Sequence, residues 1–252
     1  MSPYDICPGG TIRRTLKSVT RTQHAEDRDE IPADRRRLRS RETRRAIATA
    51  AADLVLEHGL AAVSVEDIAE RAEVVRRTFS RHFAGKEEAV LDATRDDGRR
   101  INRALRARPA AEPPLTAYRA AVDEWLAEHE RLDPLAYARW RDLIRLTEIE
   151  PALFATYERV RVDAQDESVA ITAERMGCDP ATDFRPAIVV WSAAGALTAA
   201  LRAWARQEHD RPAGLRAWVR QAYGALVEHA AADAAAGSTA VKVHEHEGIA
   251  IP

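Results

Sequence analysis

Residues 64–86 read Ser-Val-Glu-Asp-Ile-Ala-Glu-Arg-Ala-Glu-Val-Val-Arg-Arg-Thr-Phe-Ser-Arg-His-Phe-Ala-Gly-Lys. Ser64 followed by Asp67 has the spacing of a capping box, and Val65, Ile68, Ala69 and Ala72 then form the apolar stripe of a short helix. A second short helix is predicted from about Arg76 to Phe83. Phe79 and Phe83 fall one turn apart on its inner side, leaving Arg76, Arg77, Ser80 and Arg81 to face outward. Two short helices across a tight turn, the second anchored by aromatics and cationic on its free side, suit entry into a DNA major groove.

Working outward, apolar positions 47, 50, 51, 54 and 55 predict one face of a preceding helix, which Gly59 closes. Lys86 opens a further helix to about Arg106, with Glu87 and Glu88 favouring its N-terminus through the helix dipole. Pro109, Pro113 and Pro114 mark a linker. Beyond it, helices are expected at about 115–130, 135–147, 151–176, 184–207 and 213–235, with prolines near their starts. No strand pattern or internal repeat is found. The fold class is therefore all-α: a three-helix helix-turn-helix domain over 34–86 and a larger helical ligand-binding and dimerisation domain over 87–236. A flexible N-terminal arm is expected over 1–33 and a flexible tail over 237–252.

The chain carries a formal net charge of −2, which excludes a uniformly basic nucleic-acid coat. Residues 34–86 hold 12 Arg and Lys against 8 Asp and Glu, whereas residues 87–252 hold 21 against 27, so the positive excess sits on the early helices. Cys7 and Cys178 are far apart in sequence and neither has a second Cys at metal spacing, so no disulfide framework or thiolate metal site is implied. With no signal-type segment and no run approaching 18 uninterrupted apolar residues, a cytoplasmic protein with no membrane partner is expected. No cofactor is implied.

Ile47, the Ala50-Ala51 pair, Leu54, Gly59, the run Val65 to Ala69, Thr78-Phe79, His82-Phe83 and Lys86 together resemble the TetR family of bacterial transcriptional regulators. Trp140-Arg-Asp-Leu-Ile-Arg followed by Pro151-Ala-Leu-Phe-Ala is similar to a subgroup whose second domain takes acyl-CoA-like ligands. The chain departs from the family in the turn, where Glu73 and Val75 stand in place of Gly and Ser, and at Ser80, where Tyr is common. The resemblance implies a repressor with a small-molecule site in its larger domain.

Arg76 and Arg77 are the candidates for bidentate contacts to guanine, with Arg81 beside them. Thr78, Ser80, His82 and Lys86 are candidates for holding phosphates, His82 being equally suited to packing. Ser64 at the helix cap, and Arg39, Arg41, Arg44 and Arg45 at the first helix, complete the DNA-binding set. Because one two-helix reader covers few base pairs, a homodimer on a palindromic operator of double-stranded DNA is expected. The proposed interface is Trp191, Ala194, Gly195, Thr198 and Leu201 with Leu215, Trp218, Ala222, Tyr223 and Leu226. Tyr118, Val122, Trp125, Tyr137, Trp140, Ile144, Phe154 and Tyr157 are candidate walls of a site for a small hydrophobic or acyl-CoA-like effector. Arg141 and Arg145 could receive an anionic group on it.

Two other readings stay open from the residues: an enzyme, and a small-molecule-binding protein with a degenerate DNA-reading face. The chain has no Ser-His-Asp order, metal cluster, phosphate loop or glycine fingerprint to support the enzyme, so a non-enzyme is expected.

Overall fold

A computed structural model describes residues 19–207 and 214–246, with side chains from 34 to 207 and from 214 to 232. The described backbone divides into two units, one up to residue 47 and the other from residue 48 on. Among the described residues all regular structure is helical: α1 (Val19–His58), α2 (Val65–Arg71), α3 (Arg76–His82), α4 (Lys86–Val90), α5 (Asp92–Ala107), α6 (Pro114–His129), α7 (Pro134–Ile149), α8 (Pro151–Met176), α9 (Arg185–Ala205) and α10 (Leu215–His246).

Local chemistry sets most of these boundaries. Gly59 closes α1 at φ 82°, its amide donating to the Val55 carbonyl at 2.9 Å. Pro114, Pro134 and Pro151 occupy first turns, where a missing N–H costs no helical hydrogen bond. The Asp133 carboxylate accepts the amides of Leu135 and Ala136 at the start of α7. Gly177 ends α8 in a left-handed conformation, and the Cys178 amide reaches back to the Ala173 carbonyl.

Three expectations are corrected. The flexible arm expected over 1–33 does not hold from residue 19, because α1 begins at Val19, and that stretch has no apolar stripe to mark it as helix in the sequence. Residues 1–18, including Cys7, lie outside the described residues. The helix expected from Lys86 to Arg106 is interrupted at Leu91, whose ψ of 14° separates α4 from α5. At the other end α10 runs to His246, so the tail over 237–252 is helical for its first ten residues, and 247–252 lie outside the described residues.

In the larger unit α9 packs against α6, α7, α8 and α10, and α5 packs against α6 and α8. By length and composition alone α9 is apolar enough to cross a membrane, although Arg202 and scattered Ser and Thr interrupt its sequence. Its Val190, Ala193, Leu197, Ala200 and Trp204 are buried among its neighbours, as expected of a central bundle helix. A polar tie joins α5 to α8. Asn102 Nδ2 donates to the Ala164 carbonyl and the Glu167 carboxylate, each at 3.0 Å, and the Ser168 hydroxyl donates to Asn102 Oδ1 at 2.5 Å. Asn102 and Ser168 are buried, and the tie satisfies polar groups that would otherwise be costly inside a core.

Candidate functional site

The helix-turn-helix is built from its caps inward. Ser64 Oγ accepts the Asp67 amide at 3.1 Å, while Asp67 Oδ2 accepts both the Ser64 amide and its hydroxyl, completing the capping box. These bonds hold the Asp67 carboxyl below its usual pKa range. The turn then places Glu73 at φ 53°, the left-handed conformation that glycine adopts without penalty. Val75 is the N-cap of α3 and supplies no side-chain cap. Both departures from the family pattern thus fall where the backbone makes demands that neither residue meets well.

Phe79 and Phe83 anchor α3, at 2% and 3% exposure, with ring centroids 5.8 Å apart. Truncating a buried Phe costs about 3–5 kcal/mol, so the position of α3 is well determined. Arg76, Arg77, Ser80 and Arg81 lie exposed on its other side, and Thr78 and His82 are half-buried. Arg76 reaches back to Glu66 at 2.5 Å, an exposed ion pair of small energetic weight that DNA could displace. Ser64 is exposed but engaged in its capping box.

Lys86 differs from its expected role. Its ammonium donates to the carbonyls of Leu60 and Val63 at 2.7 and 2.8 Å, so the side chain ties the start of α4 to the loop before α2. In the unit up to residue 47, Arg39, Arg41 and Arg45 are exposed and Arg44 is half-buried.

The larger unit contains a cavity of about 90 Å³ between α5, α6, α7, α8 and α9. Of the expected ligand-binding residues, Tyr118, Trp125, Trp140, Ile144 and Tyr157 line it. Burial pushes the Tyr118 and Tyr157 hydroxyls up to about 12, so both are neutral donors. Five expected residues lie elsewhere. Val122 is fully buried in the core, and Tyr137 packs its ring at an angle against Trp140 and edge-on against Trp204. Arg141 lies over the Trp204 ring, Arg145 is exposed, and Phe154 is 41% exposed beneath Arg202. One residue along a helix is a rotation of about 100°, so Arg141 and Arg145 turn away from the face that Trp140 and Ile144 present.

The polar side of the cavity escaped sequence reading. Asp97, Asn102, Arg161, Gln165 and Ser168 line it, on α5 and α8, which read as ordinary charged helices. Behind Asp97, His129 Nε2 is 3.3 Å from the carboxylate and Nδ1 is 3.1 Å from the Trp125 carbonyl. Both ring nitrogens face acceptors, an arrangement that favours the doubly protonated ring. Burial opposes the charged ring, but Asp97 and the Trp125 carbonyl more than offset it, and the His129 pKa is raised. The imidazole also packs against the indoles of Trp125 and Trp140, at 4.6 and 4.5 Å between centroids.

The expected dimer residues also separate. Ala194, Thr198 and Leu201 line the cavity, so they face inward, and Leu215 and Tyr223 are buried within the chain. Trp191 and Gly195 are exposed, while Trp218, Ala222 and Leu226 are half-buried. Trp191 belongs to an apolar stripe at the start of α9 whose other members, the N-cap Phe184 and Ile188, sequence reading missed; Phe184 is 74%, Ile188 60% and Trp191 51% exposed. The stripe sits about one residue around the helix from the inward set.

Comparison with known proteins agrees with these features. Residues 47–93 match the model for bacterial regulatory proteins of the tetR family, and residues 112–235 match the model of the MftR C-terminal domain. The chain is 36% identical to the HTH-type transcriptional regulator TcmR of Streptomyces glaucescens over 157 residues, covering 62% of this chain and 70% of that protein. It is 27% identical over 172 residues, 64% of this chain and 79% of the other, to a Mycobacterium tuberculosis protein named for regulation of mycofactocin biosynthesis, MftR. A solved TetR-family structure from Syntrophomonas wolfei shares the fold at a TM-score of 0.52 and 16% identity, covering 76% of this chain and 96% of that one. These relatives are regulators rather than enzymes. With an aromatic-anchored reader helix and matches to both halves of such proteins, the chain belongs to the TetR family of transcriptional regulators.

Proposed function

We propose that this chain is a cytoplasmic repressor that binds a palindromic operator as a homodimer and leaves it when a small molecule occupies the cavity. The observation carrying this reading is α3, whose Phe79 is buried while Arg76, Arg77 and Arg81 stand exposed. Arg76 and Arg77 begin the helix and have the reach and fork geometry for guanine edges; each good bidentate contact is worth about 1–3 kcal/mol of discrimination. The exposed Phe184, Ile188 and Trp191 stripe, with Gly195 allowing close approach, supports self-association through α9.

Release follows from how the cavity is walled. Thr94, Asp97, Ile101 and Asn102 bring α5 to its edge, and α5 follows α4, whose first residue, Lys86, is tied by its ammonium to the loop before α2. A ligand that favours a displaced α5 shifts the population toward a geometry in which the reader helices no longer match successive grooves.

The test is a salt-controlled selection of genomic fragments by the purified full-length chain, followed by footprinting and a mass measurement of the complex. Protection of a twofold-symmetric site by two copies is expected. Failure to prefer any fragment would overturn the proposal.

A further inference from the structure

Three residues that line the cavity carry buried polar atoms without hydrogen-bond partners among the described residues. Trp125 and Trp140 are 3% and 7% exposed, and their indole N–H groups find no acceptor among the described residues. Opposite in kind, Gln165 is 4% exposed and its carbonyl oxygen Oε1 finds no donor there. All three residues line the cavity. Buried donors and acceptors without partners are costly, so this arrangement favours a ligand that supplies both an acceptor and a donor.

Charge at the cavity is already balanced. The charged side chains on the lining have partners: Asp97 faces the His129 ring at 3.3 Å, and Arg161 pairs with Glu158. Neither Arg141 nor Arg145 reaches the lining. An ionised ligand would therefore bring a charge with no partner to a lining whose charged groups are already paired, and its desolvation is unfavourable. Size adds a further restriction. The cavity is about 90 Å³, and an engineered cavity of about 150 Å³ takes up benzene.

We infer that the effector presents to this cavity a neutral aromatic ring bearing a hydrogen-bond acceptor for the Trp125 and Trp140 indoles and a donor for Gln165. The inference deepens the ligand-released reading above and rests on it for its regulatory meaning, but the binding chemistry can be tested without DNA.

Three isosteric probes separate the requirements: para-hydroxyacetophenone carries ring, acceptor and donor; acetophenone lacks the donor; para-hydroxybenzoate is anionic. Binding to the full-length protein is followed by calorimetry near neutral pH. The hydroxy ketone is expected to bind about tenfold more tightly than acetophenone, the effect of one well-made buried hydrogen bond, and para-hydroxybenzoate to bind most weakly. Gln165→Leu should remove the preference for the hydroxyl while retaining acetophenone binding. Gln165→Glu, which adds a carboxylate, should weaken the anion further. Tight binding of para-hydroxybenzoate, an unchanged preference in Gln165→Leu, or no binding of any probe at millimolar concentration would overturn the inference. The regulator reading is scored separately on the same protein by fragment selection: DNA preference without probe binding defeats this inference alone, and probe binding without DNA preference defeats the regulator reading alone.

Discussion

Gly98, which lines the cavity beside Ala164, offers a way to move α5 without touching the reader helix. A Cβ built at Gly98 would lie 2.7 Å from the Ala164 Cβ on α8, and ordinary contact begins at 3.4 Å, so α5 and α8 must shift apart in Gly98→Ala, by 0.7 Å if ordinary contact is to be restored. Overpacking of this kind costs about 1–3 kcal/mol. Replacing a mid-helix glycine returns about 0.5–1 kcal/mol through backbone entropy and propensity. The net expectation is a loss of about 0.5–2 kcal/mol. Gly224 in α10 supplies the control, since a Cβ there meets nothing within 4 Å and Gly224→Ala should be stabilising. The wedge also strains the Asn102 to Ala164 hydrogen bond of 3.0 Å. If displacement of α5 is what releases DNA, Gly98→Ala should weaken operator binding in the absence of ligand, while Gly224→Ala should not. Urea unfolding and fluorescence anisotropy on both variants provide the test. Stabilisation of Gly98→Ala equal to the control, or unchanged operator affinity in a destabilised Gly98→Ala, would refute the reasoning.

Lys86→Met should destabilise the fold by about 2–3 kcal/mol in urea unfolding, because it removes charge-assisted bonds to the Leu60 and Val63 carbonyls. Glu73→Gly should stabilise it by about 0.5–1 kcal/mol by relieving the residue at φ 53°, seen as a higher urea midpoint with an unchanged slope. Because the His129 pKa is raised in the native state, its contribution is full below the unfolded value of about 6.5 and is lost as pH rises through the native value. The stability gap between the wild type and Asp97→Asn should therefore be widest near pH 6 and narrow under alkaline conditions; a gap that widens with pH would contradict the assignment.

The elements whose ends are marked by special backbone chemistry were legible in the sequence. Pro114, Pro134, Pro151, Gly59 and Gly177 punctuate the chain, and the expected starts and stops at these residues fall within a residue or two of those found. The extensions of α1 to Val19 and α10 to His246 carry no apolar stripe, so periodicity could not mark them. At the site, aromatic spacing located Tyr118, Trp125, Trp140 and Tyr157, but Asn102, Gln165 and Ser168 were hidden because a buried amide and a solvated one look the same in sequence. Lys86 was misread for a related reason: a long cationic side chain on a short helix can point outward to phosphate or fold back onto carbonyls, and residue type does not distinguish the two. The inward turn of Ala194, Thr198 and Leu201 depended on the rotation of α9, which its largely apolar sequence leaves poorly determined; the exposed Phe184, Ile188 and Trp191 mark the other side.

The central claim is that α3 reads bases through its exposed arginines. The most direct measurement compares the wild type and Arg77→Ala on the selected operator and on a scrambled duplex at matched salt. The account predicts a loss of about tenfold to a hundredfold on the operator and little change on the scrambled duplex, the signature of a lost base contact. Equal losses on both duplexes, or no preference of the wild type for the operator, would contradict it.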